Sequence, residues 1–143
     1  MPTDKVAILI KKTELVIEKL SNRVLAPYEL THTQYKILML LCREPERSFR
    51  QIDIETHFGM TNPTVTGILQ NLEKKGLIRR IPNPDDKRSK LLMLTEQTLA
   101  MKEELCALGE SIEGQITANL SEDESRQLSE LLKKIPGVED TEK

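Results

Sequence analysis

Apolar residues recur with the spacing of an α-helix over most of this chain, beginning near its first residues. Between Asp4 and Val24 no Pro or Gly interrupts them, and the next Pro is Pro27. This stretch predicts a long first helix. Its apolar content is high for a terminal segment, so we expect it to pack on a later part of the chain or on another copy. Its apolar positions are Ile8, Leu9, Leu15, Val16, Leu20 and Val24.

Two further helices begin at sequences of the capping-box type. In Thr31–Gln34 the Thr hydroxyl can accept from the Gln backbone N–H, and the Gln side chain can return the bond. The second helix should end near Arg43–Glu44, because Pro45 disfavours helix in the residue before it. Ser48–Gln51 has the same form and predicts a short third helix that ends at Gly59. The residues expected to face inward from it are Ile52, Ile54 and Phe58.

The fourth predicted helix carries one apolar stripe and one small polar surface. Thr61 and Asn62 are good capping residues, Pro63 suits a first turn, and Gly76 is placed to end the helix. Apolar residues at helical spacing form its buried side, namely Val65, Ile68, Leu69 and Leu72. The outer surface is left to Thr64, Thr66, Gly67, Gln70, Asn71 and Lys74.

Two short strands are predicted after this helix. Leu77–Ile81 and Ser89–Leu94 favour strands, and Pro82–Asp86 favours a turn between them. Together they predict a basic β-hairpin. Because a two-stranded hairpin is marginal alone, we expect it to lean on the preceding helices.

The remainder of the chain predicts two helices and a short acidic tail. Thr95 can cap a long helix, in which Gly109 and Gly114 each cost about 1 kcal/mol and make a bend or break expected. Ser121–Glu124 is another capping box and starts a last helix, which Pro136–Gly137 ends. The apolar positions of these helices are Leu99, Leu105, Leu108, Ile112 and Ile116, then Leu128, Leu131, Leu132 and Ile135.

Composition and charge narrow the class of protein. The 143 residues are 31% charged and 38% apolar, with no Trp. No apolar run is long enough for a membrane span and the start lacks an apolar signal core, so we expect a soluble, cytoplasmic protein. The net charge is −2, but residues 71–90 hold seven basic and three acidic residues, whereas residues 96–143 hold five basic and twelve acidic. One face is thus expected to meet phosphates, and the other to face water or another subunit.

Few residues in the chain suggest catalysis or metal binding. His32 and His57 are its only histidines, and no nucleophile motif, metal cluster or Gly-rich phosphate loop is visible. We therefore expect no enzymatic activity, no metal and no cofactor. Cys42 and Cys106 lie inside apolar helical patterns and are expected to be core thiols, with redox sensing as the alternative.

The two short helices and the basic hairpin favour a winged helix-turn-helix, in which the second short helix enters the major groove of DNA. Small hydroxyl and amide side chains suit that position, because Asn62, Thr64 and Thr66 can approach base edges closely. For this segment alone, the alternative is an ordinary amphipathic helix capped by Thr and Asn.

Several motifs make the chain similar to the MarR family of bacterial regulators over nearly its whole length. They are Asn62–Thr66 with Leu69, Leu72–Ile78, and Asp86–Arg88 with Leu92, Leu94 and Thr95. The most specific is the wing pattern D-x-R followed by an L-T pair, which is intact here. One departure is Gly67, where many relatives carry Arg, so contacts supplied from that position are absent.

The resemblance implies how such a protein binds DNA. Arg88 at the wing tip is expected to probe the minor groove, with Asp86 steadying it. The first helix and the last two helices are expected to entwine with those of a second subunit. The resulting homodimer holds two recognition helices about one DNA turn, ~34 Å, apart.

The resemblance also implies regulation by a ligand. A small aromatic or anionic effector is expected between the dimerisation helices and the DNA-binding lobe. His32 and Tyr35 lie near that cleft, with a solvated or core role as the alternative for each. Oxidation-sensing relatives carry a reactive Cys in the first helix, a place that Cys42 and Cys106 do not match, so thiol sensing is not expected.

The predicted fold class is therefore mainly α with a small β-hairpin wing (α+β), a winged helix-turn-helix core flanked by N- and C-terminal dimerisation helices. We expect residues 1–29 to form the N-terminal dimerisation helix, 30–95 the DNA-binding lobe and 96–143 the C-terminal dimerisation helices of one cooperative domain. The expected function is a sequence-specific double-stranded DNA-binding transcription regulator, a repressor that binds a palindromic operator. The alternative is a winged-helix protein–protein interaction module without DNA binding.

The residues expected to contact DNA fall into three groups. The recognition-helix group is Thr61, Asn62, Pro63, Thr64, Thr66, Gly67, Gln70 and Lys74. The wing group is Asp86, Lys87, Arg88 and Lys90. Phosphate contacts, with plain helix capping as the alternative, are expected from Thr33, Gln34, Ser48 and Arg50.

Overall fold

Seven α-helices and three short strands are found in the computed structural model, which describes residues 5–45 and 47–139. The predicted helix start at Asp4 and the acidic tail beyond residue 139 lie outside the described residues. Within those ranges no helix is both long and apolar enough to cross a membrane. The helices are α1 (Val6–Leu25), α2 (His32–Arg43), α3 (Gln51–Phe58), α4 (Asn62–Lys74), α5 (Glu96–Ala100), α6 (Lys102–Ile116) and α7 (Glu122–Lys133), with a 3-10 helix at Ala26–Tyr28. The strands are β1 (Phe49–Arg50), β2 (Ile78–Pro82) and β3 (Lys90–Leu94).

Two of the predicted capping boxes are confirmed. Thr31 Oγ1 accepts from the Gln34 N–H at 3.1 Å, and Gln34 Oε1 accepts from the Thr31 N–H at 3.1 Å. Ser121 Oγ accepts from the Glu124 N–H at 3.1 Å, and Glu124 Oε1 accepts from the Ser121 N–H at 2.9 Å. These bonds satisfy backbone donors that have no partner inside the helix, so α2 and α7 begin where the sequence predicts. α7 ends at Lys133, before the predicted Ile135.

The predicted start of the third helix at Ser48 is wrong. Phe49 belongs to β1, pairs with Leu92 of β3, and is buried in the core at 2% exposure. Burying a Phe side chain contributes about 1.5–3 kcal/mol, whereas a helix cap contributes ~1 kcal/mol. Strand pairing with burial of Phe49 therefore outweighs a helix capped by Ser48.

α3 begins instead at Gln51 and is stabilised by Asp53, whose carboxylate accepts from the Arg50 N–H at 2.8 Å. Burial alone would raise the pKa of Asp53, but this bond and the Arg50 guanidinium, 3.2 Å from the carboxylate, lower the pKa overall. Ile52, predicted to face inward, is 51% exposed. Residues two apart lie on different sides of a helix, so the wholly buried Ile54 leaves Ile52 facing outward.

The hairpin is part of a three-stranded sheet rather than a separate pair of strands. The strand order is β1-β3-β2, and both pairings are antiparallel. The β2–β3 register runs from Ile78 opposite Leu94 to Pro82 opposite Lys90. Because β1 pairs with the other edge of β3, the hairpin gains the third strand that such ribbons need for stability.

The long helix predicted after Thr95 breaks at Met101 and not at either glycine. Thr95 caps α5 as predicted, since its hydroxyl accepts from the Thr98 N–H at 3.3 Å. α6 then runs unbroken through Gly109 and Gly114. The two helices have different neighbours, because α5 packs against β3 whereas α6 packs on α1 and α2. The break lies where the chain passes from one set of contacts to the other.

Gly109 has a tertiary role that the helical pattern does not reveal. A Cβ atom at this position would lie 2.7 Å from Tyr35 Oη. The missing side chain therefore makes room for the Tyr35 hydroxyl, which donates to the Leu105 carbonyl. Tyr35 is buried at 7% exposure, so this bond joins α2 to α6 inside the core.

The core is shared between the central lobe and its flanking helices. Leu25 of α1 and Leu105 of α6 are 0% and 1% exposed and pack with buried residues of α2, α4 and the sheet. Outside this core, α1 and α7 keep large apolar side chains exposed. They are Val6, Ile8, Leu9, Ile10, Leu15 and Val16 in α1, and Leu128, Leu131 and Leu132 in α7. The architecture is the predicted mainly α fold with a small antiparallel wing.

Candidate nucleic-acid interface

α3 and α4 form a helix-turn-helix whose turn begins at Gly59. This residue has φ 63°, a left-handed conformation that glycine adopts readily and that ends α3 as predicted. α4 then packs on α3 and β2. Its inward side chains Val65, Leu69 and Leu72 are each 0% exposed. One side of α4 is thus fixed in the protein, and the other lies at the surface.

The outward side of α4 carries small polar residues and an open surface. The Thr61 hydroxyl does not cap the helix but donates to the Thr64 hydroxyl at 3.0 Å, and Pro63 has no N–H to offer it. A Cβ atom at Gly67 would meet nothing within 4 Å, so the glycine leaves open space there. Thr66 and Gly67 are half-buried, and the exposed residues are Thr61, Asn62, Pro63, Thr64, Gln70, Asn71 and Lys74.

Two residues of α3 that sequence reasoning missed orient side chains of α4. Gln51 Nε2 donates to Thr66 Oγ1 at 2.8 Å, and Asn62 Nδ2 donates to Glu55 Oε2 at 3.0 Å. These bonds fix the rotamers of two residues expected to contact bases. Their sequence signal is weak, because polar residues on a short helix are common whether or not they support a neighbouring helix.

The wing comprises β2, β3 and the turn at residues 83–89 between them, and the turn is held by its own side chains. Asn83 is buried at 9% exposure, donates from Nδ2 to Ser89 Oγ at 3.0 Å, and accepts from the Asp85 N–H at 3.0 Å. Asp86 Oδ1 accepts from the Arg88 N–H at 2.9 Å. Asp86 therefore fixes the backbone that carries Arg88. The side chains of the predicted wing group, Asp86, Lys87, Arg88 and Lys90, are exposed.

The wing is anchored to the start of α5. Thr95 Oγ1 donates to the Gly76 carbonyl at 2.7 Å, and Thr98 Oγ1 donates to the Leu77 carbonyl at 2.7 Å. Thr98 is 0% exposed. These bonds hold the residues directly before β2 against the helix that follows the wing.

The four predicted phosphate contacts differ in their placement. Ser48 and Arg50 are exposed and Thr33 is half-buried. Gln34, by contrast, is buried at 6% exposure, and its Oε1 accepts from the Thr31 N–H and from Lys75 Nζ, the latter at 3.1 Å. Its helix-capping role has placed it inside the protein, so we do not retain Gln34 as a phosphate contact.

Basic side chains are concentrated at the end of α4 and on the wing. Arg80 is paired with Glu73 at 2.9 Å, which joins β2 to α4. Exposed side chains that complete this basic region are Lys74, Lys75, Arg79, Lys87, Arg88 and Lys90. The region can attract phosphate despite the net negative charge of the chain.

A cavity of about 440 Å³ lies between α1, α2 and α6. Its lining includes His32, Tyr35, Lys36, Arg43, Phe58 and Ile112. His32 Nδ1 lies 2.8 Å from Ser21 Oγ, which joins α2 to α1. Burial and the nearby Lys36 charge lower the pKa of His32, against the opposing effect of Glu18 and Glu14. The cavity thus brings aromatic rings and cationic side chains to one place.

The two cysteines have different surroundings. Cys42 is buried at 1% exposure, and burial raises its pKa, which keeps the thiol protonated. Cys106, predicted to lie in the core, is exposed. It follows the buried Leu105 in α6, and adjacent residues of a helix face different directions.

Comparison with known proteins identifies relatives that are similar in sequence and in fold. The model of the MarR family matches residues 30–90. Over 123 residues the chain is 33% identical to the multiple antibiotic resistance protein MarR of Salmonella typhimurium, covering 82% of this chain and 81% of that protein. The structure is similar to a cysteine-to-serine mutant of MarR from E. coli complexed with operator DNA (TM-score 0.80, 30% identity, 92% of this chain and 93% of that chain). It is also similar to an S. aureus MepR–DNA complex (TM-score 0.81, 26% identity, 93% and 96% of the two chains).

A helix-turn-helix followed by a β-wing, with small polar residues outward on the second helix and a basic turn in the wing, defines a winged helix-turn-helix protein. The sequence similarity extends beyond this lobe into the flanking helices. The chain belongs to the MarR family and is a MarR-family transcription regulator.

Proposed function

We propose that this chain is a repressor that binds a palindromic operator in double-stranded DNA as a homodimer. The observation that carries the proposal is the exposed polar side of α4 together with the exposed basic turn at Arg88, on a wing whose first strand packs on α4. α4 enters the major groove, where short hydroxyl and amide side chains reach base edges. Its contacting residues are Thr61, Asn62, Pro63, Thr64, Thr66, Gly67, Gln70 and Lys74.

In this proposal the wing enters the minor groove next to the site of α4. Arg88 extends from a turn that Asp86 fixes through its backbone bond at 2.9 Å. A narrow minor groove concentrates negative potential, which favours an inserted guanidinium. Asp86, Lys87 and Lys90 flank Arg88, while Thr33, Ser48 and Arg50 contact phosphates.

The homodimer forms through the terminal helices in this proposal. Residues 1–29 and 96–143 supply the dimerisation helices, and residues 30–95 form the DNA-binding lobe. The exposed apolar side chains of α1 and α7 support this arrangement, because their burial against a second copy removes a large apolar surface from water. Two lobes then meet two half-sites about one DNA turn, ~34 Å, apart.

A small aromatic or anionic molecule is the effector that fits this proposal, and the cavity between α1, α2 and α6 is its site. Phe58 and Tyr35 offer rings there, and Lys36 and Arg43 offer positive charge. A ligand that prefers one spacing of the two lobes shifts DNA affinity by its differential affinity for the two states.

Selection of bound duplexes from a random pool, followed by a salt titration, tests DNA binding. We expect an inverted repeat, and log affinity should fall linearly with log salt, with a slope of about −0.9 for each phosphate neutralised. Arg88→Ala should weaken binding and flatten that slope. Lys102→Ala, which removes the same charge outside the proposed interface, is the matched control and should leave the slope unchanged.

Absence of duplex binding by the wild-type chain at low salt would contradict the proposal. The same polar and basic surface would then serve a protein partner, and the chain would be a winged-helix interaction module.

A further inference from the structure

Lys74 and Lys75 are adjacent at the end of α4 but have different surroundings. Lys74 is the last residue of the helix and its side chain is exposed. The Lys75 ammonium instead donates to the Glu29 carbonyl and to Gln34 Oε1, the second bond at 3.1 Å. In the sequence both are basic residues of the segment 71–90, and of the two Lys74 is the one expected to contact DNA. Both lysines are exposed, but the ammonium of Lys75 is bound to two acceptors of the protein.

Both acceptors of Lys75 lie at the junction between α1 and α2. Glu29 directly follows the 3-10 helix that continues α1, and it has φ 57°, an uncommon left-handed conformation for a residue with a side chain. Gln34 caps α2 through its bond with Thr31. Two rigid local structures therefore hold the two oxygen atoms that bind Lys75.

Lys75 joins two parts of the molecule whose main packing partners differ. α4 packs on α3 and β2, whereas α1 packs on α2 and α6. Lys75 connects the end of α4 to the end of α1, just before the wing begins. Gly76 follows with φ 74°, and a Cβ atom there would lie 3.3 Å from Gln97 Oε1, so the chain turns in a confined space at this point.

We propose that Lys75 is a positioning residue that holds α4 at a fixed orientation relative to α1 and thereby sets the half-site spacing that the dimer prefers. It does so without contacting phosphate. This inference rests on the proposed function, since it needs two α4 helices on one operator. Its physical basis is that the bonds of Lys75 join α4 to the end of a dimerisation helix. The distance between the two α4 helices then follows the arrangement of the dimerisation helices.

The test compares Lys75→Met with Lys74→Met on three operators whose half-sites are at the selected spacing, one base pair closer and one base pair farther. For Lys75→Met we expect about a fivefold loss of affinity on the selected operator, because the two bonds from Lys75 to Glu29 and Gln34 are lost. We expect smaller losses on the other two operators and an unchanged salt slope. Lys74→Met should lose affinity on all three operators, with a slope smaller by about 0.9 per subunit.

Three results would overturn the inference. A slope reduced as in Lys74→Met makes Lys75 a phosphate contact. An equal loss on all three operators makes it a purely structural residue, because lower stability affects every operator alike. Unchanged affinity on all three operators would show that Lys75 has no role in DNA binding. If Lys75→Met does not fold, Lys75→Arg is the second variant, because it keeps the positive charge. We expect the same weakened spacing preference and an unchanged salt slope, since a planar guanidinium does not reproduce the geometry of an ammonium bound to these two acceptors.

A second measurement needs no DNA and separates this inference from the proposed function. In the free wild-type protein, an amine-acylating reagent should modify Lys75 about fivefold more slowly than Lys74, because its ammonium must first leave its acceptors. Peptide mass spectrometry gives both rates from one sample. Equal acylation rates for Lys74 and Lys75 would contradict the proposed role of Lys75. If Lys75 is acylated slowly but the wild-type protein does not bind duplex DNA, the proposed function alone is contradicted.

Discussion

Gly109 shows that a neighbouring side chain can require glycine at a position where a helix disfavours it. A glycine inside a helix costs about 0.5–1 kcal/mol relative to alanine. At position 109 that cost is offset, because the space left by the missing side chain holds the Tyr35 hydroxyl bonded to Leu105. Gly114 lies in the same helix, and a Cβ atom there would meet nothing within 4 Å.

This pair of glycines makes a matched prediction. Gly109→Ala should lower the free energy of unfolding by about 1–3 kcal/mol, because the new methyl group displaces the buried Tyr35 hydroxyl from its acceptor. Gly114→Ala should raise it by about 0.5–1 kcal/mol through helix propensity alone. Urea denaturation of the two variants checks both signs, and a stabilising Gly109→Ala would contradict the packing described for Tyr35.

Single-residue burial was the least predictable feature of the sequence. Gln34 was expected to contact phosphate, yet it is buried and its side chain accepts from Lys75. Cys106 lies in an apolar pattern, yet it is exposed. Each outcome depends on which distant element packs nearby, and the spacing of residues within one helix carries no such information.

At the scale of elements, the joint between the wing and α5 should determine how firmly the wing is held. Thr98→Val removes the hydroxyl that donates to the Leu77 carbonyl at 2.7 Å. That carbonyl still accepts from the Thr95 N–H at 3.3 Å. We expect a loss of about 1 kcal/mol in the free energy of unfolding, since a buried hydrogen bond is lost without a change of shape.

The control for this variant is Thr117→Val, whose hydroxyl donates to the Glu113 carbonyl at an exposed helix end. It should change the free energy of unfolding by less than about 0.5 kcal/mol. Thermal or urea unfolding of both variants decides the matter. Equal effects from the two substitutions would mean that Thr98 does not anchor the wing.

Local signals predicted most element starts and failed where tertiary contacts competed. The capping boxes at Thr31 and Ser121 are present because nothing else claims those residues. Ser48 lost its predicted role because Phe49 pairs with β3 and enters the core. β1 itself, two residues long, is too short to produce a periodic pattern and could not have been predicted from sequence alone.

For the whole molecule, the exposed apolar residues of α1 and α7 carry the dimer proposal. Leu131 is 59% exposed, and Leu131→Glu places a charge on that surface. We expect sedimentation to give the mass of one 16.3 kDa chain, and operator affinity to fall by about 100-fold or more as the two half-sites act independently.

Ile52→Lys is the control for the sedimentation measurement, because it also places a charge on an exposed apolar residue. Ile52 is 51% exposed, but it lies on α3 in the central lobe. It should sediment as the wild type does. A wild-type chain that sediments as a single subunit at working concentrations, or a Leu131→Glu variant that remains a dimer, would contradict the proposed use of α7.

The general form of the candidate interface was predictable, whereas the contacts that support it were not. The outward residues of α4 and the exposed turn at Arg88 follow from helical spacing and turn chemistry. The bonds from Gln51 to Thr66 and from Glu55 to Asn62 join different helices. Such contacts depend on how two helices cross, which a single sequence does not specify.

The proposed contact with DNA is tested most sharply by DNA cleavage from an iron chelate attached at Lys87→Cys, beside Arg88, in a Cys106→Ser background that leaves the buried Cys42. On a selected operator we expect two cleavage clusters related by the two-fold axis of the site, each in the minor groove next to a half-site. Cleavage spread evenly along the duplex, or confined to the major groove, would contradict the placement of the wing and of α4 beside it.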